Sequence, residues 1–104
     1  LHKSINVNDV ESINIIGRTT SRIANKEETQ NIVKWFNSIT NIRENKDLSG
    51  TTAEAVIIIK LKTGNEISIS KSGKDFEVQR TNNSGELISY WGKQSNIRDI
   101  LYSN

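Results

Sequence analysis

Apolar and polar positions alternate most clearly over residues 51–71, TTAEAVIIIKLKTGNEISISK. Ala53, Ala55, Ile57, Ile59 and Leu61 fall on one side of an extended chain, and Val56 and Ile58 on the other. Glu54, Lys60 and Lys62 lie toward the ends of this stretch. A strand that is apolar on both sides in its middle belongs inside a sheet rather than at its edge. Gly64-Asn65 suits a two-residue primed turn, with glycine supplying the positive φ. Ile67 and Ile69 then continue one apolar side, while Glu66, Ser68 and Ser70 make the other side polar.

The alternation continues toward the C-terminus. Ser72-Gly73-Lys74 marks a turn, after which Phe76 and Val78 alternate with Asp75, Glu77 and Gln79. Residues 82–85 (NNSG) mark another turn. Residues 86–91 (ELISYW) read as a further strand, with Leu87 and Trp91 on one side and Ile88 and Tyr90 on the other. Upstream, residues 10–16 (VESINII) predict a first strand, Gly17-Arg18 a break, and the β-branched residues 19–24 a second strand.

Two stretches carry the helical period instead. Asn25 can cap a helix whose first turn holds Glu27 and Glu28, and Glu28 completes a capping box. Ile32, Val33, Phe36 and Ile39 recur at helical spacing with Trp35 on the shoulder of that face, which predicts a helix over residues 26–39. Residues 93–103 predict a short helix capped by Ser95, with Ile97, Ile100 and Leu101 as its apolar side. Residues 40–50 show no period and read as a loop, and residues 1–9 as a loose lead-in.

This order predicts one α+β domain over residues 1–104. Its antiparallel sheet follows the order β-β-α-β-β-β-β-α, and the main helix and the short C-terminal helix pack on one face. Ala55, Ile57, Ile59, Ile67, Ile69, Phe76 and Val78 are expected to meet Ile32, Phe36 and Ile39. Lys60, Ser68, Ser70, Glu77 and Gln79 are expected on the opposite, wet face.

Composition narrows the chemistry. A chain of 104 residues is long enough for one core without metal or disulfide support. The absence of cysteine removes disulfides, thiol catalysis and cysteine-bound metals together. No run approaches the ~18 apolar residues of a membrane span. The chain contains no methionine, so a segment before Leu1, including any membrane anchor, is expected to have been removed.

Catalytic constellations are weak. His2 is the only histidine, and it falls in the lead-in, which argues against a Ser-His-Asp triad or a histidine metal site. Ser72-Gly73-Lys74 lacks the upstream glycine and following Ser or Thr of a phosphate loop, and it lies between strands. Ser68-Ile69-Ser70-Lys71 matches S-x-x-K, but it overlaps the adjoining K-S-G, and one hairpin cannot supply both remote elements of that site. Asp75 and Glu77 share a strand side and have cationic neighbours to pair with, while residues 44–50 only loosely imitate a calcium loop. No catalytic residue, metal site or cofactor is therefore assigned.

The net charge of +2 comes from scattered cations rather than a block. Lys60, Lys62, Lys71, Lys74, Arg80 and Lys93 would suit nucleic acid if they shared one surface. Against this, Tyr90 and Trp91 point to opposite faces, so only one can stack on a base. Arg80, Tyr90, Trp91 and Trp35 form the candidate binding set instead, because Arg and aromatic residues anchor protein interfaces.

The run TTSRIANKEETQNIVKWFNSI, with its core Ile23-Ala-Asn-Lys-Glu-Glu-Thr-Gln-Asn-Ile32, resembles small YhfM-like domains borne on extracytoplasmic lipoproteins of Gram-positive bacteria. Those domains share a hairpin running into x-D/N-K-E-E-I-x-x-I, a polar loop, and a meander ending in a short helix. This chain departs from the pattern at Thr29, where an aliphatic residue is usual. The resemblance implies an uncharacterised domain at the cell envelope, and it brings no catalytic residues. The resulting expectation is a non-enzymatic domain that binds another protein or an envelope component. An enzyme-inhibitor or immunity-type protein, occluding its target with residues 40–50 or 82–85, and a nucleic-acid-binding module are the alternatives.

Overall fold

The computed structural model of the chain describes residues 2–45, 56–73, 75–82 and 84–103. A short 3-10 turn, Val7–Asp9, leads into β1 (Val10–Ile16) and β2 (Ser21–Ile23). Helix α1 (Lys26–Asn37) and β3 (Thr40–Glu44) follow. The meander is β4 (Val56–Leu61), β5 (Glu66–Ser72), β6 (Asp75–Thr81) and β7 (Leu87–Lys93), and α2 (Ser95–Ser103) closes the chain. The strands form one antiparallel sheet in the order β2-β1-β4-β5-β6-β7-β3.

The register explains where the core sits. Ile15, Ile57, Ile69, Val78 and Tyr90 are paired in turn, so one apolar row crosses five strands. Ile13, Ile59 and Ile67 form a second row. Val10 also reaches the core although it is three residues from Ile13. A bulge between Val10 and Ser12 makes this work, because an extra residue resets the alternation. Both helices cover this face: α1 buries Ile32, Val33 and Phe36, and α2 buries Ile97 and Leu101. The α+β class, the antiparallel sheet and, apart from Ala55, the core residues expected from the pattern are present among the described residues. Ala53 and Ala55, expected at the start of β4, lie outside them.

The capping box of α1 forms as its sequence implies. Asn25 Oδ1 accepts from the Glu28 amide at 2.8 Å, and Glu28 Oε1 accepts from the Asn25 amide at 3.2 Å. The helix ends at Asn37 rather than residue 39, and Ile39 is buried just beyond it. At α2, Gln94 is the cap in place of Ser95, its side chain accepting from the Ile97 amide at 2.8 Å.

Four other readings are corrected. The stretch 40–50 is not all loop: Thr40–Glu44 is the edge strand β3 paired with β7, which adds a strand to the expected order. Its polar residues follow from an edge position, and Asn41 at φ 54 breaks its register with β7. Residues 46–50 lie outside the described residues. The β4–β5 turn has a three-residue loop, Lys62, Thr63 and Gly64. The Gly64 amide closes onto Leu61 O at 2.9 Å, and Gly64 takes φ 96 as the bulge residue. The second strand is only Ser21–Ile23, because the Gly17 amide bonds Thr20 O and keeps residues 17–20 in the turn. Finally, residues 2–9 are docked. The Ile5 amide donates to Asn37 Oδ1 at 2.8 Å, Asn37 Nδ2 donates back to Ile5 O at 2.9 Å, and the Lys62 amide donates to Asp9 O.

Candidate binding surface

Strand alternation and helix placement send the candidate residues to three separate places. Tyr90 is fully buried in the apolar row on the helix-covered side of the sheet. Arg80 lies beside it on the same side, its guanidinium 5.6 Å from the centre of the Phe36 ring. Trp35 is half-buried on α1 and lines a pocket of about 150 Å³ with Glu28, Asn31, Ile32 and, from α2, Ile100. Trp91 follows Tyr90 on β7 and so faces the opposite way, half-buried on the sheet side away from the helices. Arg80, Tyr90, Trp91 and Trp35 therefore do not form one patch.

The face around Trp91 is the most developed polar arrangement among the described residues. Trp91 Nε1 donates to Ser72 Oγ at 3.1 Å, reaching across β6 to β5. The Arg43 guanidinium, from the strand paired with Trp91, lies 5.8 Å from the indole centre and donates to Asp75 Oδ2 at 2.9 Å. Glu77, directly opposite Trp91 on β6, accepts from Asn45 Nδ2 at 2.6 Å and from Gln79 Nε2 at 3.3 Å. Ser68 and Ser70 pair with Gln79 and Glu77, and beyond them Val56, Ile58 and Ile16 make this face apolar again. Ser89, also on this side, is buried with its hydroxyl unbonded. Trp91 is thus held on this face by a hydroxyl and a guanidinium. The arrangement combines an aromatic ring with fixed hydrogen-bonding groups.

Arg43 and Ser72 were invisible as site residues in the sequence. Arg43 sits in a stretch without period, and Ser72 falls in a run, Ser72-Gly73-Lys74, that signals only a turn. The signal that could have found them is the indole N–H itself, which needs an acceptor when it is half-buried on a sheet.

The other polar cluster is built by the N-terminal residues. His2 Nδ1 is 2.6 Å from the Tyr90 hydroxyl, and its Nε2 is 2.9 Å from Phe36 O. Its ring tilts against Phe36 and meets Tyr90 edge-on. Because a carbonyl can only accept, Nε2 carries the proton and Nδ1 accepts from the Tyr90 O–H. Burial holds the His2 pKa below its ordinary 6.5, opposed by the bond to Phe36 O and assisted by the charge of Arg80. Burial likewise pushes the Tyr90 phenol up, while the neighbouring Arg80 guanidinium works the other way. His2 is thus a positioned residue, although its position in the sequence reads as a loose end. The buried Tyr90 hydroxyl needed a partner, and the lead-in supplies one.

The cations are dispersed. Lys71 and Arg80 lie on the helix-covered side, where the Lys71 ammonium is 4.9 Å from the centre of the Tyr102 ring. Lys60 lies on the other side, 3.7 Å from Glu11, and Lys62 is in the β4–β5 turn. Lys74 is outside the described residues. Among the described residues, no group of acidic, histidine or cysteine side chains could hold a metal ion, and no helix is long and apolar enough to cross a membrane. In comparisons with known proteins, no family, no curated sequence and no solved structure matches this chain.

Proposed function

We propose that the chain is a non-enzymatic binding domain that engages another protein or a cell-envelope component through the sheet face around Trp91. The observation that carries this reading is Trp91 itself, held by Ser72 and Arg43 on the polar part of this sheet face. An aromatic residue fixed in this way gives contact area at little cost in side-chain entropy, and Trp and Arg are the commonest interface anchors. The location proposed is outside the cytoplasm, which rests on the resemblance of residues 23–32 to the YhfM-like domains. The dispersal of Lys60, Lys62, Lys71 and Arg80 over different surfaces speaks against a nucleic-acid track.

The test is capture of cross-linked partners from the envelope fraction of the host, followed by affinity measurement with the captured partner. Trp91→Ala is expected to cost about 2 kcal/mol of binding, roughly 30-fold in Kd. Arg43→Ala is expected to weaken binding in the same direction. Unchanged affinity in both variants, with a loss in Trp35→Ala, would move the interface to the helices. Binding that collapses between low and moderate salt and transfers to a polyanion would favour the nucleic-acid alternative.

A further inference from the structure

We propose that the N-terminal strap, residues 2–6, is a proton-released element, latched by neutral His2 between the Phe36 carbonyl and the Tyr90 hydroxyl. Two features of the geometry lead here. The first is how the strap is held. Among the described residues, its bonds to the rest of the fold run through side chains: His2 to Tyr90 and Phe36, Arg80 to Lys3 O at 2.8 Å, and Asn37 to both backbone groups of Ile5. The first backbone bond to the sheet comes only at Asp9, whose carbonyl accepts from the Lys62 amide. The 3-10 turn Val7–Asp9 is therefore the hinge, and residues 2–6 can leave without breaking a strand ladder.

The second feature is that this latch accepts only one protonation state of His2. With Nε2–H given to Phe36 O, Nδ1 must receive the Tyr90 proton. An imidazolium has a proton on Nδ1 as well, so Tyr90 would have to accept from it. Among the described residues the Tyr90 hydroxyl bonds only to His2, so its O–H would then be left without an acceptor in a buried site. The charge beside the ring opposes the added proton. Arg80 on β6 is positive, while α1 offers the Phe36 carbonyl and β7 the neutral phenol. Protonation is therefore expected to expel the ring, and the strap with it, which uncovers Phe36 and Tyr90 at this end of the core. This inference does not depend on the binding reading above.

The test uses the whole chain. The His2 ring is titrated by NMR from pH 8 to 4.5, and the hydrogen-exchange protection of the Ile5 amide is followed over the same range. His2→Phe keeps a ring in place without a titrating group. The expected result is that His2 titrates below 6.5 and that Ile5 protection is lost in step with it. Amides of β4 are expected to keep theirs, and His2→Phe is expected to show no pH dependence at Ile5. Ile5 protection that stays flat through the His2 titration, or a loss that persists in His2→Phe, would overturn the proposal.

Discussion

Gly92 has a side-chain reason to be glycine. It lies directly across from Phe76, and a Cβ at this position would run into Ile39 Cγ2. Ile39 is β-branched and buried, so it has little freedom to yield. Gly92→Ala is therefore expected to cost about 1–3 kcal/mol through overpacking. A melting curve should show this as a drop of roughly 4–8 °C per kcal/mol. Glu28 ties residue chemistry to pH. Its bonds from Arg22 and from the Asn25 amide hold its pKa below the ordinary 4.5. A carboxylate shifted down stabilises the fold above its unfolded pKa, and that contribution is lost as pH falls through the folded value. Urea midpoints of the unsubstituted protein and Glu28→Gln should differ at neutral pH and converge in acid. His2 is shifted down as a base, so its contribution is full above 6.5 and fades as pH falls below it. The single-residue chemistry was only partly legible in the sequence. The Asn25–Glu28 capping box could be read directly because it is local. The partner of His2 could not, since Tyr90 is 88 positions away.

The elements with a strong period were the legible ones. Residues 10–16 could be bounded from alternation alone, and the isoleucine rows of β4 and β5 set the buried face. The edge strand β3 was not legible, because its side chains are mostly exposed and no apolar alternation survives. The turn after β4 was placed correctly but given the wrong type, since residue identity alone does not distinguish a two-residue loop from a three-residue loop with a bulge. Gly64 at φ 96 has open space around it, so Gly64→Ala should cost stability through backbone strain alone. Gly64→Asn should recover part of that loss, because Asn tolerates the left-handed region better than Ala. Comparing denaturation midpoints of the two variants separates strain from packing. At α1, Asn25→Ala is expected to lose about 1 kcal/mol by freeing the Glu28 amide, measurable in the same way.

At the scale of the molecule, the sheet has two unlike faces. One is covered by α1 and α2 over a continuous apolar row. The other carries Trp91 within a polar network drawn from β3, β5, β6 and β7. That network was not legible in the sequence for a topological reason. β3 reaches the edge of the sheet beside β7 although the four strands of the meander follow it in the chain, and so it brings Arg43 next to Trp91. Arg80, Tyr90, Trp91 and Trp35 share residue type and local position but not a surface, because strand alternation and helix docking send them to different places.

The binding proposal puts the partner on this second face. Its most direct test is site-specific photo-cross-linking in the envelope fraction of the host, with the reactive residue placed either at Gln79, beside Glu77 on that face, or at Gln30, exposed on α1. A discrete adduct is expected from position 79, abolished by Trp91→Ala, and none from position 30. An adduct that forms from position 30 and not from position 79 would contradict the proposal.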